Sequence, residues 1–174
     1  MLTLASLKNQ SETSPEITGL IMIDCWPSND FNPQLSKFYQ IMLPILDQFN
    51  FKMAVSACYA RQTYDIGPLS PIMRNYLVLK QCTIVDVTNE KTFFEYNQNW
   101  QITNWLVVGL TWQICLHTRP MGLNNLLKHK THEEFFIHPK CVLKENFSLL
   151  DESDVRNDGL LWQTVNGLGY RLIK

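Results

Sequence analysis

Glycine is scarce in this chain, with 7 in 174 residues, and none is arranged as G-x-G-x-x-G or G-x-x-x-x-G-K-[ST]. A glycine-rich cradle for nucleotide phosphates is therefore not expected. No G-x-S-x-G is present, so a serine-hydrolase elbow is not expected either. Charge of one sign is missing too: the formal net charge is -1 and the sequence pI about 6.4, with no basic stripe of the kind that marks a nucleic-acid partner. No run of like charges suggests a membrane-surface patch. No apolar run approaches the ~20 residues that cross a bilayer. The five cysteines, Cys25, Cys58, Cys82, Cys115 and Cys141, are odd in number and none forms a C-x-x-C pair. That usage fits reduced thiols in a reducing compartment rather than a disulfide framework. The first ten residues lack a charged start and a long apolar stretch, so no signal peptide is expected and the location is read as cytoplasmic.

What is present suits one folded domain. The hydrophobic fraction is 45% and the charged fraction 18%, enough to build a core. Residues 1–17 read as a polar lead-in and 18–174 as the domain. Thr18–Asp24 is a short apolar run closed by an acid, which predicts a buried strand. Cys25–Pro33 is a loop rich in breakers, and Gln34–Phe49 places apolar residues at helical spacing. Phe51–Tyr59 predicts the next strand, and Asn75–Leu79 and Thr83–Val87 two short ones. Glu90–Trp100 predicts a helix capped by Asn89. Trp105–Leu110 predicts a second buried strand. Ile114–Lys128 predicts a helix interrupted near Pro120. Phe135–Leu143 predicts a strand despite Pro139, Asp154–Leu168 a helix, and Tyr170–Ile173 a last strand.

Alternating strands and helices with fully apolar strands predict an α/β fold, a three-layer α-β-α sandwich around a mostly parallel sheet. In such sheets a site lies beyond the carboxyl ends of the strands. Three residues attract attention there. Cys115 follows a buried strand and opens a predicted helix, where the positive end of the dipole favours thiolate and the turn's N–H groups could hold an oxyanion. Asp24 closes an apolar strand, where an acid is costly unless it is paired. Lys80 follows the apolar NYLVL. Each has an ordinary explanation alone: a buried core thiol, a strand-end acid capping a turn, a solvated lysine. Together they make an acid to take a thiol proton and an ammonium to stabilise the sulfur anion.

The segment WLVVGLTWQICLHTRPMGLNNLL resembles the isochorismatase-like cysteine hydrolases, with Gly109, Leu110 and Cys115 in the places of the family's turn and nucleophile. LIMIDCWPSNDF resembles the family's first strand and loop, with Asp24 as the acid and Phe31 as a pocket aromatic. KQCTIVDVTNEKTFF is similar to the YcaC-like branch, with Lys80 as the base-side cation; under a shifted register Asp86 or Lys91 takes that place. The resemblance implies the family's Rossmann-like sandwich and a Leu110–Thr111 cis peptide. It implies an oxyanion hole from the Thr111 and Cys115 N–H groups, and hydrolysis of a C–N bond in a small amide-type substrate through a Cys115 thioester. A homo-oligomer is the implied assembly, with no cofactor, nucleic acid or membrane partner. The family's Thr-Asp/Glu before the cysteine is Trp112-Gln113 here, so Trp112 is expected to reshape the substrate pocket. That departure leaves a second reading, a catalytically silent member that binds a small molecule or a protein; a redox-sensing thiol at Cys115 is a third. The Asp-x-His…His metal site of nicotinamidases is absent, because no His lies between Asp24 and Lys80. His129 and His132 read as surface residues, so no metal is expected.

Overall fold

The strands are where the apolar runs are, and they pair into one parallel sheet. The computed structural model describes residues 16–29, 32–60, 64–129, 131–151, 153 and 171–173. The strands are β1 (Gly19–Ile23), β2 (Met53–Ala57), β3 (Thr83–Asp86), β4 (Asn104–Gly109), β5 (Glu134–Ile137) and β6 (Arg171–Leu172), in the spatial order β3-β2-β1-β4-β5-β6. Every pairing is parallel. β1 is central, in register with β2 on one side (Ile23 opposite Ala57) and β4 on the other (Ile23 opposite Gly109).

Alternation along each strand sends neighbouring side chains to opposite faces. Leu20, Met22, Ala54, Leu106 and Val108 join one core layer, under helices α1 (Gln34–Leu46) and α2 (Pro71–Leu79). Ile21, Ile23, Val55, Trp105 and Val107 join the other. That second layer packs against α3 (Glu90–Trp100) and two single-turn helices, α4 (Cys115–Thr118) and α5 (Leu123–Leu126). Both faces are covered, which is why the strands are apolar on both sides. The α/β three-layer sandwich is thus the architecture of the described residues. No helix among them is long and apolar enough to cross a membrane.

Local expectations mostly carry over, with instructive exceptions. Asn89 caps α3, its side chain accepting from the Thr92 N–H at 2.9 Å. The short strand expected at Asn75–Leu79 is instead the second half of α2. Pro71 at the first helical position presets the helical φ, and Met73 and Leu77, four apart, bury one face while Val78 and Leu79 point outward. A run of apolar letters looked like a strand, but their burial follows the helical period. The helix expected over Ile114–Lys128 is two separate turns, broken around Pro120. The strand expected to reach Leu143 stops at Ile137, where Pro139 opens a 3-10 turn, Pro139–Cys141. The helix expected at Asp154–Leu168 lies outside the described residues.

β1, β2 and β3 build outward in one direction, then the chain crosses back and β4, β5 and β6 extend the other way. The order reverses between β1 and β4. A crevice at that reversal, beyond the carboxyl ends of the two strands, is where open α/β sheets bind ligands. Asp24 follows β1 and the Leu110–Cys115 turn follows β4.

Candidate active site

Two backbone features bring those segments together. Asp24 has φ of 53°, a left-handed conformation that turns the chain sharply out of β1. Gly109 has φ of 130° and sits so close to β1 that a Cβ there would lie 1.9 Å from the Ile23 carbonyl oxygen. Only glycine fits that approach. It lets the Leu110 N–H donate to the Ile23 oxygen at 3.0 Å, which seats the β4 turn against the end of β1.

Asp24 is fully buried, yet its carboxylate is well supplied with donors. The Tyr59 backbone N–H donates to Oδ1 at 3.0 Å, and Arg119 Nε donates to Oδ2 at 2.8 Å. The Cys115 thiol lies close enough to the same carboxylate for each to influence the other's titration. Burial raises the Asp24 pKa above its ordinary value, against the lowering effect of the Tyr59, Cys115 and Arg119 contacts. Burial also raises the Cys115 thiol, helped by the hydrogen bond to and charge of Asp24; the Thr111 N–H and hydroxyl pull it back down. The Thr111 hydroxyl lies 3.8 Å from the sulfur. Burial thus holds both groups toward their neutral forms.

Arg119 is the cation of the site. Its side chain is 18% exposed, and its guanidinium lies over the Tyr59 ring at 5.2 Å and the Tyr64 ring at 5.7 Å. Its charge also acts on Cys115, so it neighbours both members of the pair. Tyr59 is fixed in turn: its hydroxyl donates to the Thr88 oxygen at 2.9 Å and accepts from the Met121 N–H at 3.0 Å, and its carbonyl accepts from Trp26 Nε1 at 2.8 Å.

Of the residues expected from sequence, Asp24, Thr111 and Cys115 meet here. Lys80 does not. It ends α2 just before β3 and so lies at the amino rim of the sheet, 53% exposed, with Nζ 2.8 Å from Asp47 Oδ1. A parallel strand separates the two rims, so a residue entering β3 cannot reach one leaving β1. Asp86 ends β3 and is exposed, and Lys91 is exposed on α3. Sequence reasoning missed Arg119. A signal existed: Arg119 is four residues beyond Cys115, the spacing that stacks two side chains on one helical face. It is also charged amid the largely buried stretch Cys115–Met121.

Trp112, expected to shape a pocket, is 1% exposed and packs edge-on against His117 at 4.5 Å. Its backbone N–H donates to the Leu143 oxygen at 2.9 Å, so the turn is tied down and the ring is directed into the core. Phe31 lies outside the described residues. No cis peptide occurs among the described residues, so the Leu110–Thr111 bond is trans, the form favoured by about 2.5–4 kcal/mol. The helix opened by Cys115 has only four residues, too short for a substantial dipole. Glu145 already accepts from the Gln113 and Ile114 N–H groups at 2.8 and 3.1 Å. The Thr111 and Cys115 N–H groups have no backbone acceptor among the described residues. No cluster of three metal-ligating side chains occurs among those residues.

On the same rim a cavity of about 190 Å³ lies among Trp26, Asn29, Asn32, Tyr59 and Pro68. It adjoins the Asp24 site through Tyr59. Comparison with protein-family models, with curated proteins and with solved structures finds no match.

Proposed function

We propose that this protein is a cysteine hydrolase of the isochorismatase-like type, cleaving a C–N bond in a small amide-type substrate. The observation that carries this reading is the convergence of the Asp24 carboxylate, the Arg119 guanidinium and the Cys115 thiol at the sheet's switch point. Arg119 does here what Lys80 was expected to do. Reduced thiols at all five cysteines, each free, suit a reducing compartment such as the cytoplasm.

The chemistry follows from an acid beside a thiol whose pKa burial holds up. Asp24 accepts the Cys115 proton as the sulfur attacks the substrate carbonyl, so base assistance replaces a standing thiolate. Arg119 balances the negative charge on the sulfur and then on Asp24. The Thr111 and Cys115 N–H groups hold the alkoxide of the tetrahedral intermediate. Asp24 gives its proton to the departing amine, leaving a thioester on Cys115. It then takes a proton from water, whose oxygen attacks the thioester, and returns that proton to the sulfur as the acid product leaves. The raised pKa of Asp24 suits both the accepting and the donating role.

A catalytically silent binding module is the second reading, and one observation favours it: Cys115 is only 7% exposed. Release of ammonia from a panel of small primary amides separates the two. The hydrolase reading expects turnover that falls by at least about a thousandfold in both Cys115→Ala and Asp24→Asn and is untouched by Lys80→Ala. It also expects an acyl adduct on Cys115 by intact mass. Turnover that survives Cys115→Ala, or no turnover of any amide with no adduct, overturns it.

A further inference from the structure

The turn from β4 into α4 carries consecutive backbone N–H groups at Thr111, Trp112, Gln113, Ile114 and Cys115. The middle ones are taken up by one short segment that follows the 3-10 turn. The Trp112 N–H donates to the Leu143 oxygen at 2.9 Å. The Gln113 and Ile114 N–H groups both donate to Glu145 Oε1, at 2.8 and 3.1 Å. That segment is itself anchored to the end of β4: the Leu143 N–H donates to the Gly109 oxygen at 3.1 Å, and Val142 bridges Gly109 in parallel. A tight turn presents Glu145, with the Phe147 N–H donating to the Lys144 oxygen at 3.0 Å and the Lys144 N–H to the Ser148 oxygen at 2.9 Å.

Successive N–H groups in a turn form a concave site that attracts anionic oxygen. Left open, the Gln113 and Ile114 groups would compete for an oxyanion, and the turn would be free to rotate its donors. A half-buried carboxylate 31 positions beyond Ile114 fills both with a single oxygen. Such charge-assisted bonds are shorter and stronger than neutral ones, so they hold the turn. The Thr111 and Cys115 N–H groups, one at each end, are left without a backbone acceptor among the described residues.

We infer that Glu145 is a positioning residue: by occupying the Gln113 and Ile114 N–H groups it fixes the turn so that an oxygen formed beside the Cys115 sulfur is held by the Thr111 and Cys115 N–H groups. Its effect on turnover rests on the hydrolase reading; its hold on the turn does not. What the turn needs from Glu145 is an acceptor in reach, not a charge. Glu145→Gln keeps that acceptor and Glu145→Ala removes it, and the two variants have the same charge.

Addition of isotope-labelled acetaldehyde to Cys115 in the full chain tests the role. The sulfur bonds to the carbonyl carbon, the carbonyl π bond opens, and the thiol proton ends on the oxygen, giving a hemithioacetal. Its resonance is assigned by its loss in Cys115→Ala. Iodoacetamide alkylation of the same sulfur forms no such oxygen and is the control. Adduct affinity is expected to be native-like in Glu145→Gln and at least about tenfold weaker in Glu145→Ala, with alkylation rates of the two variants within about twofold. Amide turnover is expected to follow the adduct, through kcat rather than KM. If Glu145→Ala does not fold, Glu145→Asp, which keeps the charge on a shorter arm, is compared with the native protein instead and is expected to show the same loss. No hemithioacetal on native Cys115, equal adduct affinity in Glu145→Ala and the native protein, a Glu145→Gln as weak as Glu145→Ala, or adduct and alkylation falling together overturns the assignment. A native protein that shows the expected adduct pattern but turns over no amide overturns the hydrolase reading alone.

Discussion

Arg119 Nε donates to Asp24 Oδ2 at 2.8 Å, joining positions 95 apart in sequence into one buried ion pair. Removing the guanidinium leaves a fully buried carboxylate with one charge partner fewer. Arg119→Met is expected to cost roughly 2–3 kcal/mol of unfolding free energy, below the full value of a broken buried pair because Asp24 can take up a proton. Lys80→Ala, at an exposed pair, is expected to leave the denaturation midpoint unchanged. Equal effects of the two substitutions in urea unfolding would show that Arg119 is not the structural cation of the site.

Asp24→Asn should separate thiol reactivity from catalysis. The Asp24 hydrogen bond and charge both hold the Cys115 pKa up, so their removal lets it fall, and Arg119 is left facing the sulfur. Iodoacetamide labelling of Cys115 is expected to shift to lower pH in Asp24→Asn while amide turnover disappears. Peptide mass spectrometry assigns the label, since burial pushes Cys58 and Cys141 up to about 12 and Cys82 up to about 11. A labelling profile that moves to higher pH would contradict the arrangement.

Asp24 also sets a pH dependence of stability. Its folded pKa lies above the ordinary 3.8, so the folded state holds the proton more tightly than the unfolded chain. The stability this contributes is fully present below pH 3.8 and is lost as pH rises through the raised folded pKa. The unfolding free energy of the native protein, relative to Asp24→Asn, is therefore expected to decline across that window and to be flat above it. A relative stability that climbs with pH there would mean that the Arg119 and Tyr59 contacts outweigh burial.

Gly109→Ala tests the close approach of β4 to β1. Its Cβ would fall 1.9 Å from the Ile23 oxygen, at a φ that L-residues rarely adopt. A loss of more than about 2 kcal/mol is expected, with reduced turnover because the Thr111–Cys115 turn moves away from Asp24. A variant of native stability would show that the approach is not needed.

The sheet could be read from the sequence because its determinants are local. β1 and β4 are apolar runs with few alternative uses, and Asn89 announces α3 through its own side-chain bond. α2 was partly misread because Tyr76, Leu77, Val78 and Leu79 are adjacent in sequence but divided between a buried and an exposed face. Which adjacent residues are buried depends on what packs against them. The same limit applies to Trp112, whose size suggested a pocket wall while packing against His117 placed it inside.

The sequence alone determined the layered α/β architecture, the carboxylate that ends β1 and the thiol after β4, since period and strand-end position reside in consecutive residues. The tertiary structure decided which cation joins them. Arg119 reaches Asp24 because the β4 turn and α4 cross the switch point toward β1, whereas Lys80 precedes its strand and is carried to the opposite rim. Direction along a parallel strand separates these two cations, and spacing in the chain does not reveal it.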